Sequence, residues 1–433
     1  MEGFIRGRLV ERAALAGEEH RVEGGWRGFA RAHGRVLSVA AAVALVISLS
    51  ACAGGTPQGN TDDGMAHMAV GDAGMVEIKD DRLEEVQFRS LWTSRLRARV
   101  EQAWFLGENL YVTTSSANRF NLVKINGESG FVDWTYPLDG KLDYAPGVYI
   151  YPKEQRATRG AEVFIVQRDV VHCIDDQFGA ESYRIETGFP VSTSVTAAPD
   201  HFFVGSWNHR MYCFSKLKRF EEWSYITDAT ITAPATVGGV NVYFGSEDSN
   251  LYCLNIGAGY QEGKSWTRST GGKIVAPPVF YSNRVYFGSW DYKVYCLDEY
   301  QGLLRWSYPA EAPISEPIFV QGDSILAVAH EEARGKSSWR LVSLNRGTGA
   351  RRWEREGVQR VLSADAFHCF ALDVKNGIQA LRLDDGVASW RLDVQQFAFV
   401  LGQDADQGRS RERIGRIYLV TDDGNVQAIQ PRR

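Results

Sequence analysis

One pattern recurs along most of this chain: a Gly is followed four positions later by a Trp. The complete copies pair Gly130 with Trp134, Gly302 with Trp306, Gly349 with Trp353, and Gly386 with Trp390. An anchor residue stands six positions before each Gly, and three degenerate copies and a final anchor keep the same layout. The eight anchors are Lys124, Cys173, Cys213, Cys253, Cys296, Ser343, Ala380 and Ala428. They lie 49, 40, 40, 43, 47, 37 and 48 residues apart. Such a recurrence predicts a fold built from repeated supersecondary units.

Each repeat contains four short strand-like segments and no helical periodicity. In the clearest copy, two runs rich in aromatic and β-branched residues are joined by a polar turn, Arg284–Gly288 and Val294–Leu297. A third run carries Trp306, and a fourth follows at Pro313–Val320. Four strands in about 40 residues are typical of one blade of a β-propeller.

The Gly and the Trp have separate physical roles in this interpretation. Gly allows a positive φ in a tight turn without a steric cost. Trp offers a large flat apolar surface that can fill the space between neighbouring blades. We therefore assign a structural role to the tryptophans of the repeat, which are Trp92, Trp134, Trp223, Trp266, Trp306, Trp353 and Trp390.

The first and last repeats complete one another. The eighth repeat ends after Gln430 without its Gly-to-Trp strand, whereas a strand-like segment with an unassigned Trp, Val86–Trp92, precedes the first repeat. We predict an all-β, eight-bladed β-propeller of four-stranded blades over residues 84–433, closed by this N-terminal strand. Closure removes exposed sheet edges. Seven blades are the alternative if the irregular sixth repeat, Ser324–Trp353, does not form one.

The anchor, Gly and Trp repeat resembles the pyrroloquinoline-quinone (PQQ)-type β-propeller repeat over nearly all of residues 84–433. Two groups share this repeat: quinoprotein dehydrogenases, and the non-enzymatic lipoprotein of the outer-membrane β-barrel assembly machinery (BamB-like). The repeat by itself does not choose between them, because a fold does not imply a function.

The N-terminus predicts export and lipid attachment. An apolar run of 14 residues, Val36–Leu49, follows several arginines, which is typical of a secretory signal and short for a bilayer span. The run ends in Leu49-Ser50-Ala51-Cys52, which resembles a bacterial lipobox. Cys52 would then carry the lipid. Ala53, in place of Asp, resembles the class of lipoproteins sorted to the outer membrane.

These features predict three segments: a signal peptide over residues 1–51, a lipidated flexible tether over 52–83, and the propeller. Because the stretch before the apolar run is long for a signal, we expect translation to start downstream of Met1. The chain after residue 51 has 41 basic and 48 acidic residues, a net charge of −7, which does not favour nucleic-acid binding. We expect membrane attachment through the lipid only, at the outer membrane facing the periplasm.

The other cysteines do not predict disulfides, a metal site or catalysis. Cys173, Cys213, Cys253 and Cys296 hold the same position in consecutive repeats. Packed sheets stand about 10 Å apart, whereas a disulfide needs Cα atoms within roughly 4.4 to 6.8 Å. We expect free buried thiols. Quinoprotein dehydrogenases often have a disulfide between adjacent cysteines, Ca²⁺ and a catalytic Asp; here no cysteines are adjacent. We therefore predict a non-enzyme without a cofactor.

Three aromatic turn residues are candidates for binding a partner. Trp207 and Trp290 each follow a Gly-Ser pair, and Tyr292 lies in the second of these turns. Because Glu247 holds the equivalent position in the intervening repeat, the core does not require an aromatic there. Exposed aromatics on one rim suit a protein-binding hot spot. We predict a scaffold for an envelope protein partner, such as the β-barrel assembly machinery. The alternatives are a PQQ-dependent dehydrogenase and a surface lipoprotein that binds glycan or another ligand.

The lipid site generates the first testable prediction. Cys52→Ser should abolish labelling of the protein by a radioactive fatty acid and release it from the membrane fraction, because the acceptor thiol is removed. Ser50→Ala, which keeps Cys52, is the matched control and should retain the label. A Cys52→Ser protein that is labelled as strongly as the unaltered protein would contradict the lipobox.

Overall fold

The structure is a computed structural model that describes residues 70–71, 75–117, 119–152, 154–155, 160–257, 264–333, 335–402 and 415–432. Cys52, the predicted signal peptide and most of the predicted tether lie outside these residues. Among the described residues, no helix is long and apolar enough to span a bilayer. The boundaries of the three predicted segments stay predictions.

The described chain forms eight four-stranded antiparallel sheets arranged as the blades of a closed β-propeller. The predicted fold class is therefore confirmed, and the irregular sixth repeat does form a blade. Within each blade we call the strands A to D, from the channel outwards.

The first four blades follow the chain in sequence order. Blade 1 contains β4 (Arg99–Leu106), β5 (Asn109–Ser116), β6 (Arg119–Asn126) and β7 (Val132–Leu138). Blade 2 contains β8 (Gly147–Ile150), β9 (Ala161–Gln167), β10 (Val170–Asp175) and β11 (Glu181–Glu186). Blade 3 contains β12 (Thr196–Ala197), β13 (His201–Gly205), β14 (Arg210–Ser215) and β15 (Glu221–Ile226). Blade 4 contains β16 (Thr236–Gly238), β17 (Asn241–Gly245), β18 (Asn250–Asn255) and β19 (Lys264–Ser269).

The last four blades bring the chain back to its start. Blade 5 contains β20 (Val279–Tyr281), β21 (Arg284–Ser289), β22 (Lys293–Asp298) and β23 (Leu304–Pro309). Blade 6 contains β24 (Phe319–Gln321), β25 (Ser324–Ala333), β26 (Lys336–Asn345) and β27 (Arg351–Glu356). Blade 7 contains β28 (Val358–Ala364), β29 (His368–Asp373), β30 (Gly377–Arg382) and β31 (Ala388–Asp393). Blade 8 contains β32 (Phe399–Gly402), β33 (Ile417–Val420), β34 (Asn425–Pro431) and the N-terminal β3 (Phe88–Arg95).

The ring closes as predicted, because β3 pairs with β34 as the D strand of blade 8. Three short elements precede it: β1 (Val70–Gly71) and β2 (Met75–Val76), which pair with each other, and α1 (Asp80–Glu85). Ile78 and Leu83 lie in the segment that the sequence assigns to the tether, and both side chains are buried in the core cluster of blades 7 and 8. The backbone of Ile78 also exchanges two hydrogen bonds with the Gln427 amide, of 2.8 and 2.9 Å.

Every anchor faces the aromatic of its own outer strand. The paired residues are Lys124–Trp134, Cys173–Tyr183, Cys213–Trp223, Cys253–Trp266, Cys296–Trp306, Ser343–Trp353, Ala380–Trp390 and Ala428–Trp92. The register shifts by one residue beside each of these pairs, so all eight blades have a bulge at the same level. Such bulges increase the local twist of a sheet.

The repeated Trp and Gly meet between neighbouring blades, and we call this contact the Trp–Gly contact. A Cβ placed on Gly302 of blade 5 would stand 2.5 Å from the Trp266 ring of blade 4. The same holds for four further pairs: Gly130 with Trp92, Gly179 with Trp134, Gly349 with Trp306, and Gly386 with Trp353. These five glycines have positive φ values of 65 to 76°. The Gly is thus required both by its turn and by the neighbouring indole.

An indole hydrogen bond accompanies this contact. The Trp266 indole N–H donates to the Glu299 carbonyl of blade 5 at 2.9 Å. The corresponding bonds join Trp92 to Gly127, Trp134 to Asp176, Trp223 to Ile256, Trp306 to Arg346, and Trp353 to Leu383. Buried indole N–H groups need such partners. Each bond crosses to the next blade. The Trp that recurs within each repeat of the sequence therefore stabilises the junction between two blades.

The junction between blades 2 and 3 replaces both residues of the contact. Tyr183 stands where other blades have Trp, and Arg219 stands where they have Gly, with a positive φ of 60°. The Arg219 guanidinium lies 4.9 Å from the centroid of the Tyr183 ring. A cation–π contact therefore substitutes for the indole and glycine at this junction.

Lys124, the unusual anchor, forms a buried ion pair between blades 1 and 2. Its Nζ lies 2.8 Å from a carboxylate oxygen of Asp176 and donates to the Asp176 carbonyl at 2.8 Å. The Tyr111 hydroxyl donates to the other carboxylate oxygen at 2.6 Å. A buried Lys is tolerated because its charge is paired and hydrogen-bonded.

The five described cysteines are free and buried, as predicted. Burial raises the pKa of the Cys173, Cys253 and Cys369 thiols to about 12 and that of Cys296 to about 11. Burial also raises the pKa of Cys213 well above its usual range. The thiols are consequently protonated at neutral pH and packed as small apolar groups.

This burial predicts a two-stage alkylation result. At about pH 8, iodoacetamide should leave these five cysteines unmodified in the folded protein, because only an accessible thiolate reacts. After denaturation without a reductant all five should be alkylated, which peptide mass spectrometry would measure. A thiol that reacts only after reduction would reveal a disulfide and contradict the assigned register.

The Trp–Gly contact predicts a matched pair of glycine variants. Gly302→Ala should lower the free energy of unfolding by about 2–5 kcal/mol, the sum of a left-handed backbone cost and a clash with Trp266. Gly322 also has a positive φ, of 54°, but its Cβ would meet no atom within 4 Å. Gly322→Ala should therefore cost only about 1–2 kcal/mol. Equal losses in denaturant unfolding would show that the indole contact adds nothing.

Candidate functional site

The two ends of the blades form two faces of the propeller. The A–B and C–D turns lie at one end, which we call the lower face. The B–C turns and the connections from each D strand to the next A strand lie at the other end, the upper face. Trp207 is in the B–C turn of blade 3, and Trp290 and Tyr292 are in that of blade 5, so the three predicted partner-binding residues share the upper face.

The predicted residues differ in exposure and do not form one contiguous patch. The exposed fraction is 50% for Trp207 and 46% for Tyr292, whereas Trp290 is half-buried. The B–C turn of blade 4, with Glu247, lies between the two tryptophans. Their role in binding a partner stays a prediction.

A backbone hydrogen bond fixes both tryptophans at equivalent places. The N–H of Trp207 donates to the Pro190 carbonyl at 3.3 Å, and the N–H of Trp290 to the Lys273 carbonyl at 2.9 Å. Three further blades repeat this bond at 3.0 Å: Glu247 to Thr230, His330 to Pro313, and Val374 to Gly357. We call the five donor residues of blades 3 to 7 the rim residues. The hydrogen bond to the preceding connection holds the backbone of each rim residue, so its side chain extends from a fixed position.

Sequence analysis missed two rim residues, His330 and Val374. The B–C hairpin of blade 6 is extended by four residue pairs, from His330–Trp339 to Ala333–Lys336, which hides the short turn seen in the other blades. Blades 6 and 7 also lack the Gly-Ser pair that precedes Trp207 and Trp290. The signal that remained was the end of the buried apolar run at Ala329, directly before His330.

His330 adds a third aromatic ring to the rim residues. Its imidazole stacks on the Trp339 indole with ring centroids 3.7 Å apart, and its Nε2 lies 2.8 Å from the Ser337 hydroxyl oxygen. Burial lowers the pKa of His330, which favours the neutral imidazole at pH 7. The blade 6 hairpin thus presents a neutral aromatic pair at its base.

Trp290 lies beside an ion pair that joins blades 4 and 5. The Lys273 Nζ is 5.8 Å from the centroid of the Trp290 ring and 2.5 Å from a carboxylate oxygen of Glu247. This cation–π contact orients the indole. The indole nitrogen is buried and has no hydrogen-bond partner among the described residues. A partner that displaced the Lys273 chain could reach this donor.

Trp207 packs beside Tyr144, in the connection that leads into blade 2. The Tyr144 hydroxyl donates to the Val191 carbonyl at 2.9 Å. Burial raises the pKa of the Tyr144 phenol, and a hydrogen bond with the Trp207 side chain opposes that rise. The polar edge of the indole is thus engaged by the protein, and half of the Trp207 surface remains open to solvent.

Tyr292 has a left-handed backbone with a φ of 67°. The equivalent residues His209, Ser249 and Asn376 have φ values of 66, 72 and 53°. The Tyr292 carbonyl accepts a 2.7 Å hydrogen bond from the Ala310 N–H, which holds this turn in place. A bulky residue in the left-handed region is uncommon, and such strain clusters at binding sites.

The side chains that most often bind metals are not grouped in the part of the chain that the structure describes. No group of three or more His, Cys, Asp or Glu side chains among the described residues could hold a metal ion. Calcium in proteins takes six to eight oxygen ligands.

Comparisons with known proteins agree with this architecture. A family model described as outer membrane protein assembly factor BamB matches residues 227–365 and 260–396, which lie within blades 4 to 7 and their connections. No curated protein sequence matches the chain significantly.

Solved structures extend the likeness to the whole propeller. BamB from Moraxella catarrhalis has 16% sequence identity and a TM-score of 0.59, covering 79% of this chain and 97% of that chain. The computationally designed Ika8 protein has 14% identity and a TM-score of 0.55, covering 78% and 98%. The quinohemoprotein alcohol dehydrogenase ADHIIG from Pseudomonas putida HK5 has 9% identity and a TM-score of 0.57, covering 80% and 76%. The chain is thus a β-propeller that resembles BamB.

Proposed function

We propose that this chain is a non-catalytic envelope scaffold that binds a protein partner through its upper face during outer-membrane protein assembly. The observation that carries the proposal is the set of rim residues, which places Trp207, Trp290 and His330 at one backbone position of blades 3, 5 and 6. Aromatic side chains held in fixed positions often contribute most of the binding energy at a protein interface.

The backbone bonds of the rim residues make this surface preorganised. Each rim residue is tied to the connection before its blade, so little conformational freedom is lost when a partner docks. Preorganisation raises affinity mainly by reducing that entropic cost. A standard interface covers about 800 Å² on each partner, which corresponds to a patch that spans several neighbouring turns.

The comparisons support the choice of pathway. The family model that matches blades 4 to 7 is described as an outer membrane protein assembly factor, and a similar solved structure is the BamB protein of Moraxella catarrhalis. We extend that role to this chain. The partner would be a component of the β-barrel assembly machinery or one of its clients.

The proposed location follows from the N-terminal sequence. After removal of residues 1–51, Cys52 would carry the lipid and hold the propeller at the outer membrane, facing the periplasm. The segment from residue 52 to 83 would link the lipid to the ring. A scaffold held in this way stays close to proteins that enter the outer membrane, which raises their effective concentration at the upper face.

A double substitution tests the proposed surface. Trp207→Ala with Trp290→Ala should raise the Kd for the assembly partner, captured from detergent-solubilised envelope, by about 10- to 100-fold, because hot-spot aromatics are removed. The partner is identified by mass spectrometry, and its affinity is then measured with the purified components. The melting temperature should change little, since the backbone bonds remain.

The matched control removes two aromatics from the opposite face. Phe178→Ala with Phe367→Ala should leave the Kd unchanged. If both double variants bind equally well, the upper face is not the docking surface. A bound quinone chromophore with Ca²⁺-dependent dye reduction would instead favour a dehydrogenase and overturn the proposal.

A further inference from the structure

The lower face carries most of the exposed apolar side chains. Among the described residues, fifteen large apolar side chains are exposed, and nine of them lie in A–B or C–D turns, whereas only three lie in B–C turns. The nine are Phe131, Phe178, Leu217, Phe220, Val240, Tyr300, Leu303, Phe367 and Val387. We call them the lower-face tips. If the general tendency of apolar side chains to be buried were the only influence, both faces would expose similar numbers of them. The difference between the two faces therefore needs a physical cause.

The Trp–Gly contact fixes several of these tips. Phe131, Leu303 and Val387 each follow directly after the Gly that packs on the indole of the preceding blade, and Phe220 follows Arg219, which holds the same place. Because the Gly is held against the indole, the next side chain is directed away from the junction. The exposed fraction reaches 74% for Phe131, 71% for Phe178 and 87% for Leu217.

The tips are spread around the ring. Blades 1, 2, 3, 4, 5 and 7 each contribute at least one of them, and all lie at the same end of their blades. A globular partner with a standard interface would cover only a few blades. One flat surface can meet all the tips at once, and a lipid bilayer is such a surface.

The charges near the tips are mixed. Lys218, whose Nζ is 5.7 Å from the centroid of the Phe220 ring, stands between Leu217 and Phe220. Asp384 and Asp385 lie in the C–D turn of blade 7, beside Val387. Contact with a bilayer would thus depend on insertion of apolar side chains into the interface and not on attraction to anionic lipids.

The chain length allows this contact. Cys52, the proposed lipid site, precedes Val70, the first residue of β1, by 18 residues. A chain of that length spans at most about 65 Å, so either face of the ring is within reach of the membrane. The lipid alone therefore does not set the orientation, and the distribution of apolar tips does.

We propose that the lower face rests on the lipid bilayer through its apolar tips, so that the upper face with the rim residues points away from the membrane. This inference rests on the membrane attachment in the proposed function, and it adds a second membrane contact to the lipid. It explains why two faces of one ring differ in apolar exposure. A scaffold oriented in this way would present its binding surface to partners in the periplasm.

Site-specific fluorescence tests the orientation. A cysteine introduced at a tip, Phe178→Cys or Leu303→Cys, can be labelled selectively with a nitrobenzoxadiazole dye, because the five described cysteines are buried and protonated. Val374→Cys on the upper face is the control site. The full chain, purified in detergent, is reconstituted into vesicles of phosphatidylethanolamine with a minor fraction of phosphatidylglycerol. Spin-labelled lipids should quench the dye at 178 and 303 about threefold more than at 374. Equal quenching at both faces would overturn the proposal.

A second variant separates the tips from the lipid. In the labelled Phe178→Cys protein, Phe131→Ser, Phe220→Ser and Leu303→Ser together should reduce quenching to the level of the 374 control, with an unchanged melting temperature. High salt should leave the quenching of the parent protein intact. Quenching that survives the triple substitution, or tips that are already covered by a second copy in detergent, would refute the role of the tips. Partner affinity is measured in a separate experiment. A chain that binds no assembly partner would therefore still show the quenching expected here for the parent protein and for the triple variant.

Discussion

The contact between the indole of one blade and the glycine turn of the next is the interaction on which the rest of the structure depends. A four-stranded sheet buries little by itself, and its two faces must be covered by neighbouring sheets. At most junctions a large indole covers one side, and where the opposing residue is Gly, the absence of a Cβ lets the two sheets approach. The hydrogen bond from the indole N–H to the next blade then fixes their relative height.

The same contact joins the two ends of the chain. Trp92, on the N-terminal strand, packs on Gly130 of blade 1 and donates to the Gly127 carbonyl. Closure therefore uses the geometry that joins the other blades. The Gly is replaced at two junctions. Arg219 lies on the Tyr183 ring at 4.9 Å. Phe88 stands four residues before Trp92, where other blades have Gly, and contacts Trp390 of blade 7 with ring centroids 5.2 Å apart. The junction needs a flat ring and a group that can lie on it, and glycine is one of several solutions in this chain.

Stability and recognition are consequently carried by different turns. The Trp–Gly contacts occupy the C–D turns and outer strands, so the B–C turns do not contribute to them and can differ in sequence. That freedom permits Trp, Glu, His and Val at the same rim position of neighbouring blades. On the lower face the contact has the opposite effect, because it holds each turn in place and leaves the following side chain exposed. A rigid ring with two chemically different faces suits a scaffold that must be oriented.

The number of blades, the register of the anchors and the closing strand could be predicted from the sequence alone. These follow from the spacing of Gly, Trp and the anchors, and spacing along the chain is a local, covalent property. It also located the aromatic turns with Trp207, Trp290 and Tyr292, because a Gly-Ser pair precedes each tryptophan. What lies on the other side of each junction became clear only in the folded ring. The structure shows that the Gly packs on the indole of a different blade and that Lys124 pairs with Asp176. It also shows that His330 and Val374 share the rim position and that the apolar tips gather on one face. Those relations join residues of different repeats, and no pattern within one repeat encodes them, because they depend on how the blades pack against one another.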